Sequence, residues 1–497
     1  MAVSGKDRIL FEGYPTLNDG DIRPNTYCAG CGRRTPFNNG YIHRAKAERT
    51  DEEHIAYAEH YRSFGVKIDW LCKQPGYLEW TAEYGDYRIL VRKSGENVEV
   101  FPDDSFAADR PVLQRLVHGL SRDAFDRYIR QLESADFEKV QTNDIEDNHY
   151  AELAGKDGLL LCSHSSALGE ARFIDDPLSC RIDRFGSTAP ENPEPTELCQ
   201  FALHYDTPVS GVTMNCGMLY ILKLPDRSFV LIDGGEYEQA TDAALQEILR
   251  VMHSMAHASE NETLRISAWI CTHAHDDHLD VFSKFLRLYH DRISLERVFF
   301  NFPDFDRMEL MPETFILLAR LNAYFPDALY LKPHGGQRFS LAGVDFEVLQ
   351  THEEGPHTDG DEPIGGLNDS STVMKISFDG VSILITGDIG EAAEARLLRR
   401  FSEKTLRVNA VQAAHHLVNR LERLYLIAAP ELALIPSYHY RRIRNPESFA
   451  ALKRAVPEEN MYFAEDGSHI FVSDGQGRLI LKKCHPPVGG PYDGSEI

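Results

Sequence analysis

No run of about eighteen apolar residues, the length a helix needs to cross a bilayer, occurs in the 497-residue chain. Its first residues, "MAVSGKDRILFEGYP", hold no basic segment followed by an apolar core, so neither a membrane span nor a secretory leader is expected. Cysteine is scarce: nine residues, in no spacing that suggests a disulfide framework, point to a reducing compartment, and the cytoplasm is the expected location. Positive charge is short as well. Lys and Arg total 52 against 77 Asp and Glu, a net charge of -25, which repels polyphosphate surfaces and argues against bulk nucleic-acid binding. There is no repeat of solenoid period and no low-complexity tract. What is present is a chain too long for one core, so two domains are expected.

The clearest boundary is "GSTAPENPEPTE", Gly186 to Glu197, whose prolines and small or acidic residues favour an extended linker. It divides an N-terminal α+β domain (1–185) from a larger α/β domain (198–484), with a flexible tail at 485–497. In the first part "YLEWTAEYGDYRILVRKSGENVEVF" reads as a β-meander, and Phe125, Tyr128, Ile129 and Leu132 recur at helical spacing behind Ser121, an N-cap. Short strands are expected at "GLLLCSH" and "EARFIDD". Cys28 and Cys31 make half a zinc knuckle with no second pair behind it, and Cys72 and His43 are poor substitutes, so a tight turn with two free thiols is expected there. After the linker, apolar strands alternate with amphipathic helices, and a hairpin turns at Pro225-Asp226; this is the pattern of a layered α/β domain with mixed sheets.

Chemistry concentrates at strand ends. In "CTHAHDDHLD", Cys271 to Asp280, His273 and His275 follow the apolar run "LRISAWI" with period two, which delivers both imidazoles to one side. Asp277 and His278 lie just beyond, where a turn into a helix can swing them toward a second cation. Two close divalent ions repel, so a carboxylate and a hydroxide are needed between them, and the hydroxide becomes the nucleophile. Asp388 in "ILITGDIG" is the candidate carboxylate, His415 and His416 in "VQAAHHLVN" offer a further imidazole, and Asp233 ends "VLIDGG".

These motifs, "LIDGG", "THAHDDH", "LITGD" and "AAHH" in that order, resemble the metallo-β-lactamase superfamily of dinuclear hydrolases, and "NDSSTVMKISFDGVSILITGDI" with "PELALIPS" is most similar to its ComEC-type branch. The resemblance covers roughly 201–482. It implies a four-layer αββα sandwich, with His273 and His275 on a first metal and Asp277 and His278 on a second. Asp388 would bridge them as a catalytic group beside Asp277, His415 or His416 would complete the second site, and Asp233 would support a ligand from behind. Two divalent ions are implied, zinc first, with manganese or iron as alternatives. Where most members carry another metal-binding histidine, this chain has Asn368 or Asp369, while His352 and His357 fall earlier and are expected to be solvated loop residues first and ligands second. Leu417-Val418 also stand where the branch has Gly-Ser, and its transmembrane channel is missing.

The expected reaction is metal-assisted hydrolysis of a small anionic substrate. "SYHYRRIRN" offers a possible clamp, with Arg441 and Arg442 on a phosphate and Tyr438 or His439 as proton donor to a leaving group, against the alternative of a solvated basic turn. A phosphoesterase acting on a small phosphodiester or nucleotide therefore stands first. An acyl hydrolase cleaving a lactone, lactam or thioester is the alternative, and a non-catalytic sensory or binding module a weaker one. A flavin-linked di-iron site would want a glutamate in place of His275. Nothing in the sequence fixes an oligomeric state.

Overall fold

Apolar runs bounded by turn residues become strands buried on both faces. Leu219–Lys223 and Phe229–Asp233 form the hairpin expected around Pro225-Asp226, and the second of them pairs in parallel with Leu264–Ile270. The computed structural model describes residues 21–25, 43–46, 50–60, 62, 67–84, 87–94, 97–102, 112–155, 158–176, 190–203, 217–236, 239–302, 317, 321, 324–325, 327–354 and 367–485. Cys28, Cys31 and His357 lie outside them, and Cys72 is free.

Two mixed sheets face each other. The first runs Leu329–Leu331, Arg297–Phe299, Leu264–Ile270, Phe229–Asp233, Leu219–Lys223, Glu197–Gln200, Ser468–Ser473, Leu479–His485, with Ile293–Leu295 also beside Leu264–Ile270. The second runs Arg338–Leu341, Val344–Gln350, Val373–Phe378, Val381–Ile385, Ala410–Gln412, Leu432–Ile435, Met461–Phe463. Between them lies an apolar layer in which Tyr220, Phe299 and Phe471 of one sheet join Phe346, Ile383 and Leu434 of the other. Helices Asp242–Ala256 and Asp276–Tyr289 cover the outer face of the first sheet, and Glu391–Arg400, Glu422–Ala428 and Pro446–Ala455 that of the second. This is the expected αββα sandwich. Its parallel strands end on a common edge, where Thr372 N–H donates to Thr272 C=O at 2.9 Å across the two sheets.

The N-terminal region holds strands and helices, as the expected α+β class requires. It contains two separate antiparallel sheets: Asp21–Asn25, Val112–His118, Glu170–Asp176, Gly158–Ser165, Asn148–Gly155, Glu138–Ile145, and His43–Lys46, Asn97–Pro102, Tyr87–Ser94, Tyr77–Tyr84, Lys67–Gln74. The sheets are separate because of pairing: among the described residues the meander strands pair with one another, with Lys67–Gln74 and with His43–Lys46, and this sheet sends Ile68, Trp80 and Val91 into the apolar cluster outside the first sheet. The six-stranded sheet packs its own helix, Arg122–Ser134, through Phe125, Tyr128, Ile129 and Leu132, with Ser121 accepting from Ala124 N–H as the cap. Strand Asn148–Gly155, "NHYAELAG", has no β-branched residue and was not legible; partners on both sides impose its conformation. Among the described residues no helix is long and apolar enough to cross a membrane.

Candidate metal centre

The common edge gathers the motif residues. Phe229–Asp233 ends with Asp233 at φ 58°, which turns its carboxylate under the neighbouring strand: Oδ1 accepts from Thr272 N–H at 2.7 Å, and Oδ2 accepts from the Thr272 hydroxyl at 2.7 Å and pairs with His278 Nδ1 at 2.6 Å. His278 Nε2 is thereby aimed away, into the edge, 3.2 Å from Asp388 Oδ1 and 3.7 Å from Asp277 Oδ1. His416 is fixed in the same way. Its Nδ1 lies 3.1 Å from Pro436 C=O, leaving Nε2 at 3.1 Å from Asp277 Oδ2 and 3.4 Å from Asp388 Oδ2.

Asp388 reaches this point because Gly387, at φ 56°, makes a turn no side chain would fit: a Cβ there would lie 2.7 Å from Ser371 Cβ and 3.1 Å from Thr272 Cβ. The Asp388 N–H then donates to Ser371 Oγ at 3.0 Å. His273 and His275 stand beside the cluster, Nε2 of the first 3.0 Å from Nδ1 of the second, and the His273 and His278 ring centroids are 4.2 Å apart.

The electrostatics follow from burial and crowding. Burial alone would lower the His278 imidazole, but Asp388, Asp233 and Asp277 hold it well above its ordinary value; His416 is likewise pushed up to about 9 by Asp388 and Asp277 against the cost of burial. Burial would raise Asp388 and Asp277, yet His278 and His416 hold both carboxyls below the usual range. His273 is driven well below its ordinary value by burial and by its neighbours His278 and His275.

One ligand atom from each of Asp277, His278, Asp388 and His416 lies within 4.8 Å of all the others. His278 Nε2, His416 Nε2 and both Asp388 carboxylate oxygens are buried without a hydrogen bond. Buried polar atoms are rarely left this way, and a divalent cation is the partner that imidazole and carboxylate donors converging on one point would take. The residues therefore fit a metal.

Residues 215–437 match the family model of the metallo-β-lactamase superfamily. That stretch, under half of the chain, is a metallo-β-lactamase superfamily domain. Solved structures similar to this domain include a metal-dependent hydrolase of the β-lactamase superfamily, 11% identical over 54% of this chain and 96% of that one with a TM-score of 0.28. Another is the short form of human tRNase Z, 13% identical over 44% of this chain and 76% of that one with a TM-score of 0.22. No curated protein matches the chain.

In this hydrolase domain His416, not His415, joins the cluster. His415 is 27% exposed at its side chain, with Nε2 3.8 Å from Asp388 Oδ2 and Nδ1 3.1 Å from Asn419 Oδ1. Asn368 Oδ1 is buried without a hydrogen bond, and its Nδ2 lies 3.4 Å from His415 Nε2; Asp369 Oδ1 is occupied by the Gly390 N–H.

Two expectations are corrected. His352 is not solvated: it is buried in a short 3-10 turn, Nε2 2.9 Å from Asn301 Oδ1, because the strand Val344–Gln350 carries it inside before the loop begins. "SYHYRRIRN" is not an open clamp, and of its residues only Ile443 and Arg444 are exposed. Arg442 pairs with Glu458 at 2.7 Å and stacks on Phe463 and Phe449, His439 Nε2 lies 2.8 Å from Asp466, and Tyr438 is buried with its hydroxyl 3.4 Å from Leu203 C=O. Arg441 is buried too, reaching Ser437 Oγ at 3.4 Å and Asn445 Oδ1 at 3.3 Å. The carboxylates that take up Arg442 and His439 come from 458–466, far along the chain, so no local reading could pair them.

Thr272, Ser371 and Asn419 were missed. Asn419 Nδ2 donates to the Asp388 and Ile389 carbonyls at 3.1 and 3.0 Å while its Oδ1 faces His415. Its place four residues after His415 was visible, but its partners were not.

Proposed function

We propose that the protein is a two-metal hydrolase of phosphodiesters belonging to the ComEC-type branch of the superfamily. The observation carrying this reading is the set of buried, unbonded donor atoms at the strand edge, oxygen-rich because Asn368 Oδ1 stands where a third imidazole is usual. His273, His275 and Asn368 would hold the first ion, Asp277, His278 and His416 the second, with Asp388 between them. Bound divalent ions supply Lewis acidity toward the attacked group and a nucleophile at neutral pH.

The chain does the rest. Asp233 and the Pro436 carbonyl fix the tautomers of His278 and His416 so that each presents Nε2. Buried walls of Thr272, Ser371 and Ala414 keep water from the ligands' inner side. His415, at the open side and oriented by Asn419, would deliver the proton that a leaving oxygen needs from its Nε2.

Hard oxygen donors lower the preference for zinc. Metal-free protein reloaded with manganese is therefore expected to recover at least as much diesterase activity as zinc-loaded protein, each with two ions per chain by elemental analysis. Full recovery with zinc and none with manganese would count against the assignment of Asn368. The reaction class is read by offering an aryl phosphodiester, a neutral lactone and a thioester in parallel: turnover of the diester is expected to dominate, and turnover of the lactone or thioester alone would overturn the phosphodiesterase reading.

That acyl hydrolase is the second reading, and the engagement of Arg442 by Glu458 favours it, since a guanidinium already paired is a poor phosphate clamp. Replacing Arg442 with Ala is expected to cost about 1 kcal/mol of stability from a half-exposed ion pair and its ring contacts. It should leave kcat/KM on the diester within roughly threefold, less than the loss of a charge-assisted phosphate contact would cause. A drop of tenfold or more at unchanged stability would restore the clamp.

A further inference from the structure

The six-stranded N-terminal sheet meets the hydrolase domain at a particular place. The turn between Glu138–Ile145 and Asn148–Gly155 reaches the C-terminal end of the helix Glu391–Arg400, where Asn148, fully buried, donates from Nδ2 to the Arg400 carbonyl at 2.8 Å and to its own turn at Ile145 C=O, 3.1 Å away. The Arg400 carbonyl is one of the last-turn acceptors that a helix cannot satisfy internally. The Glu146 carboxylate accepts from Ser402 N–H at 2.9 Å and Thr405 N–H at 3.2 Å, and Arg400 Nη2 donates to the Tyr150 hydroxyl at 2.5 Å. Ile145 and Tyr150 share one apolar cluster with Ile389, Ala393, Leu397 and Phe401, the inward stripe of that helix and its flanks.

The other end of the same helix is the metal centre. Ten residues span about 15 Å. Three residues before Glu391 stands Asp388; the N–H of the N-cap, Gly390, is held by Asp369, and Arg396 from the middle of the helix donates to the Asp369 carbonyl at 3.4 Å. One rigid element therefore bears both the bridging carboxylate and the contacts that place the Asn368-Asp369 segment.

We propose that the N-terminal sheet positions the metal centre through this helix, with Asn148 and Tyr150 as positioning residues that act through Arg400 on Asp388 and Asn368. The inference rests on the two-metal reading above. A partner hydrogen-bonded directly to a ligand is worth about tenfold to a hundredfold in metal affinity; support relayed through the helix is expected at the lower end of that range.

The test titrates cobalt(II) into the full-length metal-free protein and into Asn148→Ala and Tyr150→Phe, following the visible absorption bands that report ligand geometry, with amide hydrogen exchange across 391–400. Phe125→Leu serves as control, since Phe125 lies in the same N-terminal sheet's own core and not against the helix. Asn148→Ala is expected to bind cobalt about tenfold more weakly with altered bands and faster exchange in 391–400, Tyr150→Phe to shift in the same direction by less, and Phe125→Leu to keep the wild-type affinity and spectrum despite its lower melting temperature. If Asn148→Ala does not fold, Tyr150→Phe, which removes a single hydroxyl, decides the matter. Wild-type affinity and bands in both variants, or an equal loss in Phe125→Leu, would overturn the positioning role alone. A wild-type protein that binds no cobalt would instead overturn the metal centre itself.

Discussion

Asp388→Asn is expected to lower kcat/KM on the best substrate by about 10³-fold or more, the several kcal/mol that metal assistance supplies. The carboxylate stands 3.2 Å from His278 Nε2 and 3.4 Å from His416 Nε2, and each of its oxygens faces one of the two imidazoles. An amide keeps the shape and one acceptor oxygen but carries no charge to hold two cations together. Its N–H bond to Ser371 is a backbone bond and survives, so the circular dichroism spectrum should not change. Elemental analysis should find fewer than two ions per chain. A variant with two tightly held ions and normal turnover would remove Asp388 from the bridging position.

Glu353→Gln is expected to destabilise the protein by about 3–5 kcal/mol at neutral pH, the cost of leaving a buried charge without its partner. Glu353 is fully buried; its Oε2 lies 2.7 Å from His334 Nδ1, its Oε1 3.5 Å from the equally buried Lys332 Nζ, and its carbonyl accepts from Arg172 of the N-terminal sheet. Burial by itself would raise this carboxyl, but His334 and Lys332 outweigh it and hold the group below the usual carboxylate range. A depressed folded pKa stabilises above the unfolded value of about 4.3 and loses that contribution as pH falls through the folded one. Wild-type and variant stabilities should therefore differ fully at pH 7 and converge as the pH drops below about 4. Denaturant titrations at both pH values measure it; a constant difference, or one under 1 kcal/mol at pH 7, would show that the carboxylate carries no buried charge.

The sequence by itself determined the sandwich and most of the residues that converge at its strand edge. Strand ends can be read locally: an apolar run that stops at His-x-His, at Gly-Asp or at His-His states both its burial and the side on which its last residues emerge, because the strand period is two. Asp277 and His278 needed only the helix start that follows. Tertiary structure decided what depends on partners distant in the chain. It brought His416 and not His415 into the cluster, through the Pro436 carbonyl, and gave the Asp369 carboxylate to Gly390 while leaving Asn368 Oδ1 without a hydrogen bond. It closed Arg442 and His439 onto Glu458 and Asp466, and took His352 inside. It also shaped the N-terminal region as two sheets and set Asn148 on the end of a helix 252 positions away. A hydrogen bond between residues so far apart leaves no period or spacing in the sequence; it exists only once separate sheets have docked.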